Sequence, residues 1–177
     1  MVAVVALLAT YLTWTAERID RLNVRVERAD ATLDAQLVRR AAAAQALVTS
    51  AAAAGDLPDG AVAAVRSLAT SARQHDGDRW ATENGLTRAV ADAVQGLRAR
   101  AAEADASAAA AAGDSSLPAE LAELADASER VDLARSFYNQ AVRDARELRA
   151  RVVPRLLRLH GRAGLPPFIE LDDTTLP

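Results

Sequence analysis

The chain has no cysteine and no lysine, only two histidines, and so few aromatic residues that they make up 3% of it. Without thiols, disulfides and thiolate metal sites are excluded, although the same absence fits any redox compartment. The shortage of aromatic and β-branched residues argues against a sheet, whose pleated faces depend on them. Glycine and proline are scarce too, at 8 and 6 of 177 residues. All 21 basic residues are arginine. Physics does not require that bias, which fits a genome rich in G and C, such as an actinobacterium's. The net charge of −3 speaks against nucleic acid as a partner, because a general nucleic-acid binder is normally basic.

What the chain has instead is alanine, at 44 positions. Alanine is the best helix former, yet it buries little apolar area, at roughly 25 cal/mol per Å². Such a sequence is held together by long helices in close contact rather than by a thick core. The length suits one domain of ordinary size. The fold class read from these facts is all-α.

The opening stretch, MVAVVALLATYLTWTA, carries no charge and ends in Tyr11 and Trp14. It lacks the basic start and small-residue cleavage pattern of a signal peptide. A buried core helix is the other alternative, because sixteen residues at 1.5 Å each reach only about 24 Å. Continuation through Ile19 and Leu22, with Arg18 and Arg21 snorkelling to the headgroups, closes that gap. Aromatic residues at the end of an apolar run mark a membrane interface. The favoured reading of residues 1–16 is a transmembrane anchor with Tyr11, Trp14, Arg18 and Arg21 at the interface. Arg18, Arg21, Arg25 and Arg28 follow the run and nothing basic precedes it. The positive-inside rule then expects a single pass through a bacterial inner membrane, N-terminus outside and the remaining domain in the cytoplasm.

Beyond the anchor, apolar residues recur at Ile19, Leu22, Val26, Ala29, Leu33, Leu37, Ala44 and Leu47, the three-and-four spacing of a bundle seam. No glycine or proline interrupts residues 1–54, so anchor and first soluble helix should be one rod, stopped by GDLPDG at 55–60. Further helices are expected over 61–74, with Val62, Val65 and Leu68, and over 79–112, with Leu86, Val90, Val94 and Leu97. Asp78 or Thr82 would cap the second of these. A fourth, over 117–161, carries Leu121, Leu124, Val131, Ala134, Tyr138, Ala141, Ala145, Leu148 and Val152. Ser115 or Ser116 would cap it, and Pro154 would kink it. The layout is an anchor continuing into an antiparallel four-helix bundle over 17–162, followed by an irregular tail at 163–177.

The fourth helix should return towards the membrane, which gives its arginines a meaning. Seven arginines fall between Arg143 and Arg162 against two acids, Asp144 and Glu147. Arg151, Arg155, Arg158 and Arg162 alternate there with Val152, Val153, Leu156, Leu157 and Leu159. A basic amphipathic segment of this kind can lie on anionic headgroups or contact a protein partner. The alternative is a solvated bundle end whose arginines satisfy terminal carbonyls.

Two blocks, RVERADATLDAQLVRRAAAAQALV at 25–48 and ERVDLARSFYNQAVRDA at 129–145, followed by PPFIELDD, resemble the LemA family. The similarity is carried by Val26, Glu27, Ala29, Leu33, Asp34, Gln36, Leu37, Arg39 and Arg40. In the second block it rests on Arg130, Val131, Ala134, Arg135, Phe137, Tyr138, Asn139, Ala141 and Val142. Pro154, Pro167, Phe168 and Glu170 echo the family's C-terminal run, although RELRARVVPRLLRLHGR is rich in Arg and Leu where the family is rich in Phe and Asn. Residues 55–115 match little. The resemblance implies a membrane helix followed by a helical bundle and supplies no catalytic residue.

Phe137, Tyr138 and Asn139 read as packing residues of that motif. An alanine bundle needs a few large side chains, and a half-buried hydroxyl or amide can bond a neighbouring helix. Asp34, Gln36, Arg39 and Arg40 are the candidate partners. A ligand or partner patch is the rival reading.

Chemistry is hard to find. His75 with Asp76 and Asp78 sits in a glycine-containing turn, and His160 is distant in sequence, whereas zinc needs three or four converging ligands. Asp172 and Asp173 read as tail spacing. Dinucleotide, P-loop, metalloprotease and nucleophile-elbow motifs are missing. No catalytic residue, metal or cofactor is expected. The sequence favours a non-enzymatic accessory or scaffold subunit of a larger bacterial membrane complex, for which a respiratory assembly is a natural host. Its partners would be lipids and other membrane-protein subunits. The alternatives are a lipid-surface module built on Arg151–Arg162 and a hydrolase or metal enzyme built on His75 and His160.

Overall fold

The computed structural model describes residues 1–74, 78–107, 117–150 and 167–169, and those residues form four helices and no strand. In order they are α1 (Val2–Ala54), α2 (Asp59–Gln74), α3 (Arg79–Ser107) and α4 (Leu117–Ala150). The all-α architecture read from composition is what the chain adopts. Anchor and first soluble helix are one uninterrupted element, as the run without glycine or proline requires. Residues 108–112 and 151–161, expected to extend α3 and α4, lie outside the described residues, as do Pro154, the capping serines at 115 and 116, and Val152.

The element ends follow local chemistry. Gly55 takes φ 77°, a conformation that costs glycine little and other residues more. Its N–H donates to the Ala52 carbonyl at 3.1 Å, and Asp56 N–H donates to Ala51 at 2.9 Å. That pair of bonds is a Schellman closure. At the start of α3, Asp78 Oδ1 accepts from Trp80 N–H at 3.0 Å and from Ala81 N–H at 3.3 Å. Asp78, not Thr82, is therefore the cap. The second helix begins at Asp59 rather than Ala61, because the carbonyl of Pro58 already accepts from Ala61 and Val62.

The helices divide between two compact units. One holds Met1–Leu33 and the described parts of Leu133–Ile169; the other holds Asp34–Asp132. In the second unit the end of α1, all of α2 and α3, and the start of α4 share an apolar core. It includes Leu47, Val48, Val62, Val65, Leu86, Val94 and Leu124, with alanines 41, 44, 51, 69, 93 and 127 filling the close approaches. The polar pairs give the helix directions. Gln45 bonds Thr70 and Arg73 while Thr49 accepts from the earlier Arg66, so α2 runs against α1. Asp34 pairs with Arg79 and Arg40 with Glu83, so α3 runs along α1. Arg39 reaches Glu123, and Ser50 reaches Glu120, so α4 runs against it. That alternation is the down-and-up order expected of a bundle with short turns.

In the first unit the early part of α1 pairs antiparallel with the later part of α4. Arg149 Nη2 donates to Asn23 Oδ1 at 2.7 Å, and Arg25 Nη1 to Asp144 Oδ2 at 3.3 Å. Ile19, Val26 and Leu33 of α1 are buried, and so are Ala134, Tyr138, Ala141, Val142, Ala145 and Leu148 of α4. All but Val142 are seam positions read from spacing, while Leu22 and Ala29, read as seam as well, are only half-buried.

Candidate anchor and tail-docking site

The first turns of α1 are apolar and largely without cover. Met1, Val2, Val4, Val5, Leu7, Leu8, Tyr11 and Trp14 are all exposed, Trp14 at 51%. This is the one described helix long and apolar enough to cross a membrane, and only 11% of its apolar window is buried. An exposed apolar surface of this size is unusual in water. The Arg18 guanidinium sits 5.5 Å from the centre of the Trp14 ring. Arg21 is 3.7 Å from Glu17 one turn away, both well exposed. Tyr11, Trp14, Arg18 and Arg21 thus form a ring-and-charge boundary at the end of the apolar run. Cover begins immediately past it: Thr15 and Ile19 are buried against protein. The freely exposed span is Val2–Trp14, about 20 Å of helix.

Thr10 and Thr13 interrupt that span and Thr15 follows it, and each would bring a hydroxyl into apolar surroundings. Thr10, Thr13 and Thr15 donate to the carbonyls of Ala6, Ala9 and Tyr11, at 3.0, 3.0 and 2.8 Å. An intrahelical bond of this kind removes most of the penalty for taking a hydroxyl out of water. Thr32, Thr49, Thr70 and Thr87 make the same bond outside the apolar run, so it reflects helix geometry; at Thr10 and Thr13 it leaves no free hydroxyl donor on the apolar surface.

The triplet Phe137–Tyr138–Asn139 is split by the helix into three environments. Tyr138 is buried, Asn139 half-buried and Phe137 exposed at 62%, with Leu133 exposed one turn before it. The polar partners differ from those expected. Asp34, Gln36, Arg39 and Arg40 belong to the other unit, where Asp34, Arg39 and Arg40 pair with Arg79, Glu123 and Glu83. Tyr138 and Asn139 instead hold the C-terminal tail. The Tyr138 hydroxyl donates to the Pro167 carbonyl at 3.2 Å. Asn139 Nδ2 donates to the Ile169 carbonyl at 2.9 Å, and Asn139 Oδ1 accepts from Ile169 N–H at 3.0 Å. Ile169 is buried, and the Phe168 ring lies 4.3 Å below the Arg146 guanidinium. Of the tail only 167–169 is described, and there the chain has no regular secondary structure and is docked rather than loose. The sequence signal that pointed here was the rarity of the aromatics.

The remaining candidates are separate. Among the described residues no group of three or more His, Cys, Asp or Glu could hold a metal. His75, Asp76, His160, Arg151, Arg155, Arg158, Arg162, Asp172 and Asp173 lie outside the described residues. In the second unit an open apolar hollow is lined by Leu97, Ala101, Leu117, Pro118 and Leu121, with Asp56, Arg98 and Arg100 at its edge. The Arg100 guanidinium donates to the Gly55 carbonyl, closing the end of α1. Compared with family models, curated proteins and solved structures, the chain matches none of them.

Proposed function

We propose that this protein is a non-enzymatic, membrane-anchored helical-bundle protein that serves as an accessory or scaffold subunit of a larger bacterial membrane assembly. One observation carries the reading: Met1–Trp14 presents a continuous apolar surface that protein does not cover, closed by Tyr11, Trp14, Arg18 and Arg21. A bilayer satisfies such a surface, and the aromatic and arginine side chains suit the headgroup layer. The exposed 20 Å falls short of a hydrocarbon thickness of about 30 Å, so the turn carrying Thr15 and Ile19 would enter the lipid with protein beside it. The charge flanking the run favours a cytoplasmic bundle. The resemblance to the LemA family supports the same layout and assigns no reaction. The alternative, a lipid-surface module, rests on the Arg151–Arg162 composition alone.

The test uses the native lack of cysteine. The chain with a single cysteine, either in a short Ser-Gly-Cys-Ser extension ahead of residue 1 or at Ser136→Cys, is expressed in bacteria and treated with a membrane-impermeant maleimide. Retention in carbonate-washed membranes is expected, with labelling of intact cells in the extension and not at 136. Release by carbonate would end the anchor reading; the reverse labelling would invert the orientation. Purification in mild detergent, followed by mass spectrometry, should then recover stoichiometric membrane-protein companions. A chain that purifies alone would remove the subunit role.

A further inference from the structure

We propose that Tyr138, Asn139 and Arg146 of α4 form a recognition groove for an extended peptide segment in which an aromatic residue precedes a branched aliphatic one, and that the chain's own Pro167–Ile169 fills it in cis. The groove is independent of whether α1 enters a membrane, so it goes beyond the anchor reading.

The chemistry of the contact is that of strand pairing, with one strand replaced by a side chain. Both ends of the Asn139 amide engage the N–H and carbonyl of a single residue, Ile169. Two residues facing each other in an antiparallel ladder exchange bonds in the same way. Asn139 therefore reads an extended backbone, whatever side chain that backbone carries. Tyr138 reads a second backbone atom two residues earlier, and Pro167 suits that place because it has no N–H left to satisfy.

Selectivity comes from the two side chains between and after these bonds. Ile169 is 3% exposed, so its position accepts an apolar residue and penalises a polar one. Phe168 presents its ring face to Arg146 at 4.3 Å, a cation–π geometry that favours an aromatic. Each requirement is met by three consecutive residues, and none depends on covalent connection to α4. Sixteen residues, 151–166, join Ala150 to Pro167. Covalent connection gives the cis segment only a finite effective concentration, which a free segment of the same pattern can exceed. A partner protein carrying such a segment would dock by displacing the tail.

Nuclear magnetic resonance on isotope-labelled full-length chain in detergent tests this directly. The Ile169 amide should be protected from hydrogen exchange, and Asn139→Ala should remove that protection at least about tenfold while the amides of α4 keep theirs. Adding unlabelled peptide LPPFIELDD, residues 165–173, in excess should accelerate exchange at the chain's own Ile169 saturably. The same peptide with Ile169→Ser should not. An unprotected Ile169 amide, or protection that survives Asn139→Ala, overturns the groove. Protection that no excess of peptide reduces overturns recognition in trans. Equal displacement by the serine peptide overturns the selectivity.

Discussion

Arg40 on α1 lies 2.7 Å from Glu83 on α3 through Nη2 and Oε2, and the Glu83 side chain is only 2% exposed. Arg40 Nε, also buried, makes no hydrogen bond. The pair is thus a single-pronged ion contact in the interior of the second unit, where isolated charges are costly. Losing one partner leaves the other charge buried, so Glu83→Leu or Arg40→Met alone should destabilise that unit by about 3–5 kcal/mol. The double variant should recover most of the loss, because two apolar side chains fill the space without desolvated charge. Urea unfolding followed by circular dichroism would measure all four corners of the cycle. A Glu83→Leu variant as stable as the parent would show that the pair contributes nothing.

Two glycines should respond to alanine with opposite signs. At Gly55 a Cβ would meet no atom within 4 Å, but the backbone sits at φ 77°. Gly55→Ala should therefore cost about 1–2 kcal/mol through the backbone alone. Gly96 lies inside α3, and a Cβ there would meet Leu57 Cδ2 at 3.6 Å, an ordinary contact. Gly96→Ala should stabilise by about 0.5–1 kcal/mol, since glycine is the weaker helix former. Melting temperatures of the two variants, moving in opposite directions, check this.

The cap on α3 is a single side chain. Asp78→Ala removes the acceptor for Trp80 and Ala81 and should cost about 1 kcal/mol, whereas Asp78→Ser should cost less. Thr82→Ala should change little. Denaturant midpoints for the three variants distinguish the cap from the bystander.

Within the exposed run of α1, Leu8→Arg should lower retention in carbonate-washed membranes, because a charge near the middle of a spanning helix costs about 3 kcal/mol on insertion scales. Leu8→Ala should leave retention close to that of the parent. Indifference to both substitutions would detach the apolar surface from any role in lipid.

Much of this molecule is local in origin and could be read from spacing. The run without breakers up to Ala54 makes α1 one helix, and residues three and four apart mark Ile19, Val26 and Leu33 as its seam. The same spacing placed Tyr138 on the seam, but Phe137, read with it as a packing residue, is exposed at 62%, because its position on the helix lies off that seam. The choice between Asp78 and Thr82 could not be read, since either sequence position can start a helix and only the final backbone direction selects one.

What composition and breaker positions determined is the number, order and apolar faces of the helices, because propensity and hydrophobic periodicity act within a few residues. The pairing of polar side chains was decided only in three dimensions. Glu83 is 43 residues from Arg40, and Ile169 is 30 residues from Asn139. In the second case the partner is a backbone N–H and carbonyl, groups that nearly every residue owns. A bond to atoms common to the whole chain leaves no mark in the sequence until the fold brings one residue, and no other, within reach.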